Sequence, residues 1–436
     1  MRKLVILPIL ITLVFASIFT SCKKDQNTGS PTLSDAMARD TLYYLMNDWY
    51  YWYNLMPAVT KDNYKDPYAL MDAMRYTTFD HWSFVADYNE FVSEMEGNFV
   101  GHGIRIGLDE SQKARIAMIY SGSPLYASGV RRGWIVKSIN GYNIAQIIHD
   151  GDATAYNTAL GASTAGVTNT FVFTRPNGTD TTFSSTKKEF TVNSVLLYDT
   201  LHLSSGVTGH LVFESFIQPS HDELLTAFAY FRANNVKDLI LDLRYNSGGY
   251  LYIAQELASY IAGNNVGTNS VFAKLSYNDK HTDQNVNYLF KTTPSPLDLP
   301  RMVVITTRLT ASASEAVMNG LKPYLNLVTI GDTTTGKPVG MNGWAVGQKY
   351  FFWPVTFKMV NKNNEGDYFG GIIPDEEVFD DVTHDFADRR ELCLKEAIHY
   401  LETGSTAKRA VSAFHRYPQM SEKPSWMTKG FTIVNK

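Results

Sequence analysis

Ser312 and Lys337 are the two residues of this chain whose surroundings suit nucleophilic chemistry. They share one stretch, Thr310 to Met341, which reads TASASEAVMNGLKPYLNLVTIGDTTTGKPVGM. A serine hydroxyl is a weak nucleophile until a base takes its proton, and a lysine can be that base only where burial disfavours its charged form. Lys337 is flanked by Gly336, Pro338, Val339, Gly340 and Met341, with no acid within four residues. Such a setting desolvates an amine without neutralising it.

The elements around the pair must position it. Arg301 to Thr307, RMVVITT, is a short β-branched run that predicts a buried strand. Glu315 to Leu325 has helical spacing, with Ala316, Val317, Leu321 and Leu325 near one face. Ser312 therefore falls in a strand-to-helix turn, beside helix amides that have no partner inside the helix and suit a developing oxyanion. A second strand, Leu325 to Gly331, leads to the loop that delivers Lys337. Two plainer readings compete: Ser312 and Glu315 have the spacing of a capping box, and a lone loop lysine is usually solvated. Gly331 to Lys337, GDTTTGK, also matches a phosphate-loop pattern. Pro338 stands where the Mg²⁺-binding Ser or Thr belongs and no helix opens at the lysine, which argues against a nucleotide.

The run ASASEA followed at this interval by TTGKP resembles the core of the carboxyl-terminal processing, or tail-specific, proteases, which use a serine-lysine dyad. The resemblance implies Ser312 as nucleophile and Lys337 as base. That family usually shows a glutamine four residues after the lysine; here the place holds Met341, and Asn342 or Gln348 could substitute if the fold brings either near. Lys237 to Ala262 reads as a buried strand, a two-glycine turn and a helix, and its DLRYNSGG closely resembles the family's oxyanion loop. Glycine is needed where a main-chain amide must approach substrate closely. An amide of Gly248 or Gly249, with that of Ala313, is the expected oxyanion hole. As an ordinary strand-to-helix turn, the same loop would use Asp242 and Arg244 as a support pair.

The chain's 436 residues leave room for two or three domains, and 39 basic against 43 acidic residues give a net charge of −4, which points away from nucleic acid. Arg2 and Lys3 precede an apolar run, Leu4 to Phe19, and then Thr20, Ser21 and Cys22. This is a secretory signal by its charged start and apolar middle. The small residue before Cys22 resembles a bacterial lipoprotein cleavage site with Cys22 as the lipidated residue, and Lys23 after it favours, by resemblance, an outer membrane. Cys393 is the other cysteine and lies in an apolar helical pattern, so a buried thiol is expected rather than a disulfide.

Six segments are expected: signal peptide 1–21, tether 22–34, helical N-terminal domain 35–97, PDZ-like domain 98–190, protease core 191–404 and tail 405–436. In the first of these domains, Leu42, Leu45, Met46, Trp49, Tyr53 and Met56 recur at helix spacing until Pro57, Asp66-Pro67 opens a second helix, and Phe79 to Val85 reads as a loop before a third. His81 and Trp82 there read as packing residues. GHGIRIGL, SPLYASGV and RRGWIVKSING resemble a PDZ domain, in which Gly101, His102, Gly103 and Ile104 occupy the place of the carboxylate-binding loop. Gly263 to Leu299 reads as an insertion or substrate-facing loop, Asp375 in YFGGIIPDEEV as a structural cap, and the tail carries no motif.

The fold expected is thus multidomain α/β: a crotonase-like, ClpP-like ββα superhelix protease core preceded by a helical domain and a PDZ domain. The function expected is an exported serine endopeptidase of proteins engaged through a free C-terminus, anchored by a lipid on Cys22, with no metal, cofactor or nucleotide. Met341 leaves a catalytically inactive, PDZ-type peptide-binding lipoprotein as the alternative.

Overall fold

The computed structural model describes residues 33–407, 418–424, 427 and 431–434. The expected signal, most of the tether and Cys22 lie outside the described residues. Among those described, no helix is long and apolar enough to cross a membrane.

The centre is a six-stranded sheet in the order Val195–Leu203, Gly206–Phe213, Asp238–Asp242, Arg301–Thr306, Asn326–Gly331, Glu376–Glu377, parallel except for its first strand. Alternate side chains of a strand face opposite sides, so a strand covered on both faces reads as a continuous apolar run. Leu239, Leu241, Met302 and Val304 enter the larger core with the helices Ser220–Ala233, Leu251–Ala262 and Ala313–Leu321. Ile240, Val303, Ile305 and Ile330 face the other way, against the helix Leu392–Thr403, where Cys393 is buried as a free thiol. That helix stops at Gly404 in the left-handed conformation, φ 76°.

A second six-stranded sheet packs beside the first, ordered Gly248–Tyr250, Phe431–Val434, Val339–Asn342, Val355–Val360, Val271–Tyr277, Val286–Leu289. Its last two strands are an antiparallel hairpin within the expected insertion 263–299. The tail, whose sequence carries no motif, supplies the strand Phe431–Val434 inside this sheet and a second strand, Gln419–Ser421, elsewhere.

Residues 98–191 form a separate antiparallel sheet, Ile104–Leu108, Ala114–Ile119, Ile135–Ile139, Thr168–Thr174, Asp180–Thr186, over its own core of Ile106, Ile116, Val136, Phe171 and Phe173. The ribbon of Asn98–Gly101 with Lys188–Thr191 joins it to its neighbours.

The N-terminal part has the helices Asp35–Trp49, Pro67–Met74 and Tyr88–Met95, the second capped by Asp66 with Pro67 in its first turn. The loop expected before the third helix is instead partly a strand, Phe84–Asp87. It pairs antiparallel with Tyr350–Trp353, and its buried residues Val85 and Ala86 belong to the same core as Phe91, Phe352 and Trp353. These four residues form a strand only because a partner more than 260 positions away is present.

Candidate active site

Ser312 caps the helix Ala313–Leu321 with φ 62° and ψ −109°. A non-glycine residue with positive φ is strained and is held so only by its surroundings. Those surroundings converge on Glu315, one turn into the helix. One of its oxygens, Oε2, accepts from the main-chain N–H of Ser312 at 2.6 Å and from that of Lys337 at 2.8 Å. The other, Oε1, accepts from the Gly336 N–H at 2.6 Å and the Thr334 hydroxyl at 2.5 Å. A carboxylate buried to this degree costs several kcal/mol unless its lone pairs are filled, and here four donors fill them. Burial pushes the Glu315 carboxyl upward, and the bonds from Thr334, Lys337, Ser312 and Gly336 oppose that rise. The capping box is therefore real and extends further than its local pattern: the carboxylate that closes the turn also holds the lysine loop.

The loop's path depends on Gly336, whose φ is 92° and at which a Cβ would lie 2.5 Å from both Phe369 O and Gly371 N. The Lys337 side chain is fully buried, and burial lowers its amine from 10.5 to about 7, against the upward pull of Asp80 and Glu315. Its Nζ donates to Met341 Sδ at 3.8 Å and lies 5.7 Å from the centre of the Trp82 ring. Met341 thus itself takes the position where a glutamine was expected, offering a weak sulfur acceptor. Neither expected substitute serves. Asn342 is bonded to Thr356 and to Val434 O, and Gln348 is exposed in a hairpin turn.

The glycine loop lies against the serine turn. Asn246 O accepts from Ala311 N and from Ser314 Oγ, both at 3.0 Å, and Thr310 Oγ1 donates to Leu243 O at 2.8 Å. Gly248 and Gly249 have φ of 109° and 139°, and a Cβ on Gly249 would stand 2.1 Å from Phe216 O. The Gly248 N–H donates to Asn246 Oδ1 at 2.9 Å. Phe216 takes Gly248 O and the Tyr250 N–H, which turns the main-chain groups of Gly249 toward the strand Phe431–Val434. Ala313 opens the helix, so its amide is one of those without an intrahelical partner.

Asp242 and Arg244 do form the expected support pair at 2.7 Å, and they belong to a larger buried group. Arg244 also meets Asp380 and Glu391, each at 2.9 Å. Arg132, from the 98–191 module, donates to Tyr245 Oη at 2.7 Å and pairs with Asp380 at 3.1 Å. The two arginines hold the Asp380 carboxyl down at about 2 in spite of its burial. Asp375 accepts from the Thr329 amide and hydroxyl, which fixes the segment before the strand Glu376–Glu377.

Gly101, His102, Gly103 and Ile104 form the turn from Asn98–Gly101 into Ile104–Leu108, far from Ser312 along the chain. The His102 ring is buried between Ser185 Oγ and Asn169 Oδ1, so it packs; its main-chain N–H and that of Ile104 point to the Glu422 carboxylate. Sequence reasoning missed Asp80, whose charge reaches Lys337, and the tail residues 419–423. For Asp80 the aromatic string around it was the sole signal; the tail offered none.

Known proteins resemble this chain in sequence and in fold. Residues 207–378 match the profile of peptidase family S41, and residues 38–84 match that of the peptidase S41 N-terminal domain. The chain is similar to the carboxy-terminal processing protease CtpB of Bacillus subtilis (strain 168), at 21% identity over 287 residues, 65% of this chain. It spans 56% of that relative's length. The fold is similar to a crystal structure from Bacteroides fragilis NCTC 9343 described as an S41 protease, with TM-score 0.67, 22% identity, and 84% of this chain and 97% of that chain covered. It is also similar to a mutant of CPAF, with TM-score 0.51, 11% identity and coverages of 86% and 99%. Two profiles of the family match separate parts of the chain, residues 38–84 and 207–378, and the fold agrees with them: the chain belongs to peptidase family S41.

Proposed function

We propose that the protein is a serine endopeptidase of the tail-specific type in which Ser312 attacks a peptide carbonyl and Lys337 accepts, then returns, its proton. The observation that carries this reading is the shared oxygen of Glu315, which takes the amides of Ser312 and Lys337 together while burial brings the lysine amine down to about 7. An amine at that value is half neutral at neutral pH and can serve as general base and then general acid. The amide of Ala313, with that of Gly248 or Gly249, would receive the oxyanion. Residues 98–190 act as a PDZ-like module that takes a substrate's chain end along the strand Ile104–Leu108, with the Gly101–Ile104 turn receiving its carboxylate. The reading extends to export and a lipid on Cys22, which rest on the sequence of the first 22 residues.

The test is hydrolysis of an unfolded protein such as casein together with labelling by a fluorophosphonate. Ser312→Ala and Lys337→Ala should each lose at least about a thousandfold in rate with melting transitions still cooperative. Full activity in either variant refutes the dyad. Fatty-acid labelling in the native host should vanish in Cys22→Ser; labelling that persists refutes the anchor.

A further inference from the structure

The chain's own tail lies along the groove assigned to a substrate's chain end. The strand Gln419–Ser421 pairs antiparallel with the outer edge of Ile104–Leu108, in the register Gln419 with Gly107, Met420 with Ile106 and Ser421 with Arg105, and the Leu108 N–H donates to Pro418 O at 3.2 Å. That pairing runs the tail toward the Gly101–Ile104 turn. There the Glu422 carboxylate accepts from the His102 N–H at 3.1 Å and the Ile104 N–H at 3.3 Å, with the Lys187 ammonium 4.0 Å away. Two main-chain donors and a cation around a buried carboxylate at the head of an added strand are what a chain terminus would require. Met420 packs on the module's apolar core, Lys423 pairs with Glu214 at 2.5 Å, and Gln419 donates to Asp380 at 2.9 Å.

The same tail reaches the serine site. The Ser247 hydroxyl donates to Met427 O, and the strand Phe431–Val434 runs between Gly248–Tyr250 and Val339–Asn342, against the edge of Gly249. With the tail docked, Ser312 and Lys337 have no exposed surface. Substrate entry therefore needs movement, and the tail touches both the groove and the glycine loop.

We propose that residues 418–424 are a tethered ligand of the PDZ-like groove, with the Glu422 side chain standing in for a terminal carboxylate, so that a protein's free C-terminus must displace the tail before its chain can be engaged. The proposal rests on the groove assignment made above and concerns how that groove is regulated. A segment held by a short linker competes at an effective concentration in the millimolar range. Against a site with intrinsic affinity of about 10–100 μM, that competition weakens an outside peptide about 10- to 100-fold.

The experiment uses the full chain carrying Ser312→Ala, so that binding is read without hydrolysis. The probe is a fluorescein-labelled peptide of residues 413–421 followed by alanine, made with a free carboxylate or amidated. Fluorescence anisotropy should show the free-carboxylate probe binding about 10- to 100-fold more tightly when Met420→Asp and Glu422→Ala are added, with little gain for the amidated probe. Equal affinity in the two chains, or no binding to either, overturns the proposal. A second measurement does not depend on those substitutions: saturating probe should speed hydrogen exchange at Gln419–Ser421 of the chain bearing Ser312→Ala alone. Probe bound with the tail still protected also overturns it. Casein hydrolysis by the unsubstituted chain reads the dyad separately, so loss of one result leaves the other standing.

Discussion

Placing a glutamine four residues after the lysine, by Met341→Gln, tests the proposal that Lys337 is the base. In the structure the amine meets a thioether at that position, 3.8 Å from Nζ, and burial brings it to about 7. A glutamine carbonyl would accept a bond from the charged amine, and an acceptor that favours the charged form raises its pKa. A hydrogen bond to a charged group is worth about 1.5–3 kcal/mol net, and about 1.4 kcal/mol corresponds to one pKa unit. The pH midpoint for Ser312 acylation should therefore move from about 7 to about 8 or 9. The assay is the second-order rate of fluorophosphonate labelling between pH 5 and 10. In the parent chain that rate should rise about tenfold per unit well below the midpoint and level off above it, because the neutral amine is the base. In the variant the same limb should be displaced to higher pH, with a plateau at least as high. An unmoved or lowered midpoint refutes the assignment of Lys337 as the base whose charge Met341 fails to support.

Asp80→Asn should displace the limb the other way, to below about 7, since Asp80 pulls the Lys337 amine upward; an upward move contradicts the field described for the site. Glu315→Gln turns an acceptor toward four donors into a partial donor, and should cost about 3 kcal/mol or more in denaturant unfolding while Ser312→Ala stays near parental stability. Equal stability of the two variants would show that the carboxylate is no clamp. Gly336→Ala sets a Cβ 2.5 Å from Phe369 O, and casein hydrolysis should fall at least about tenfold while the chain still folds; parental activity would show that the loop path is not constrained. His210 is buried, and burial lowers it from 6.5 to about 4. The unfolded chain then takes up this proton first as pH falls, so stability drops between pH 6.5 and 4, by on the order of 3 kcal/mol in all. His210→Gln should flatten the urea midpoint across that window, and an unchanged slope would assign the acid loss elsewhere.

The parts of the fold readable in the sequence were those written in consecutive residues. RMVVIT and DLILD are apolar on both faces because helices cover both sides of their sheet, and each became a buried strand. Asp66-Pro67 started its helix and Gly404 ended the last one, since caps act over a few residues. What stayed hidden depends on distant partners. Phe84–Asp87 is a strand because Tyr350–Trp353 lies beside it, and Gln419–Ser421 because Ile104–Leu108 presents an open edge. In the site, the Ser312 and Lys337 pairing rested on motif spacing, whereas the reach of Glu315 to Thr334, Gly336 and Lys337 was invisible in a three-residue cap pattern. Asp80 had only the aromatic string around it as a signal, because its influence on Lys337 comes from a different module.

That last contact limits how the molecule can be taken apart. Asp80 and Trp82 stand over the lysine, and the strand that follows them is sewn into the core at Tyr350–Trp353. A shortened chain begun at residue 191 would keep Ser312 and Lys337 yet lose the Trp82 ring beside the amine and the charge of Asp80 that acts on it. Module swaps among such chains should therefore carry the first hundred residues along with the core they cover.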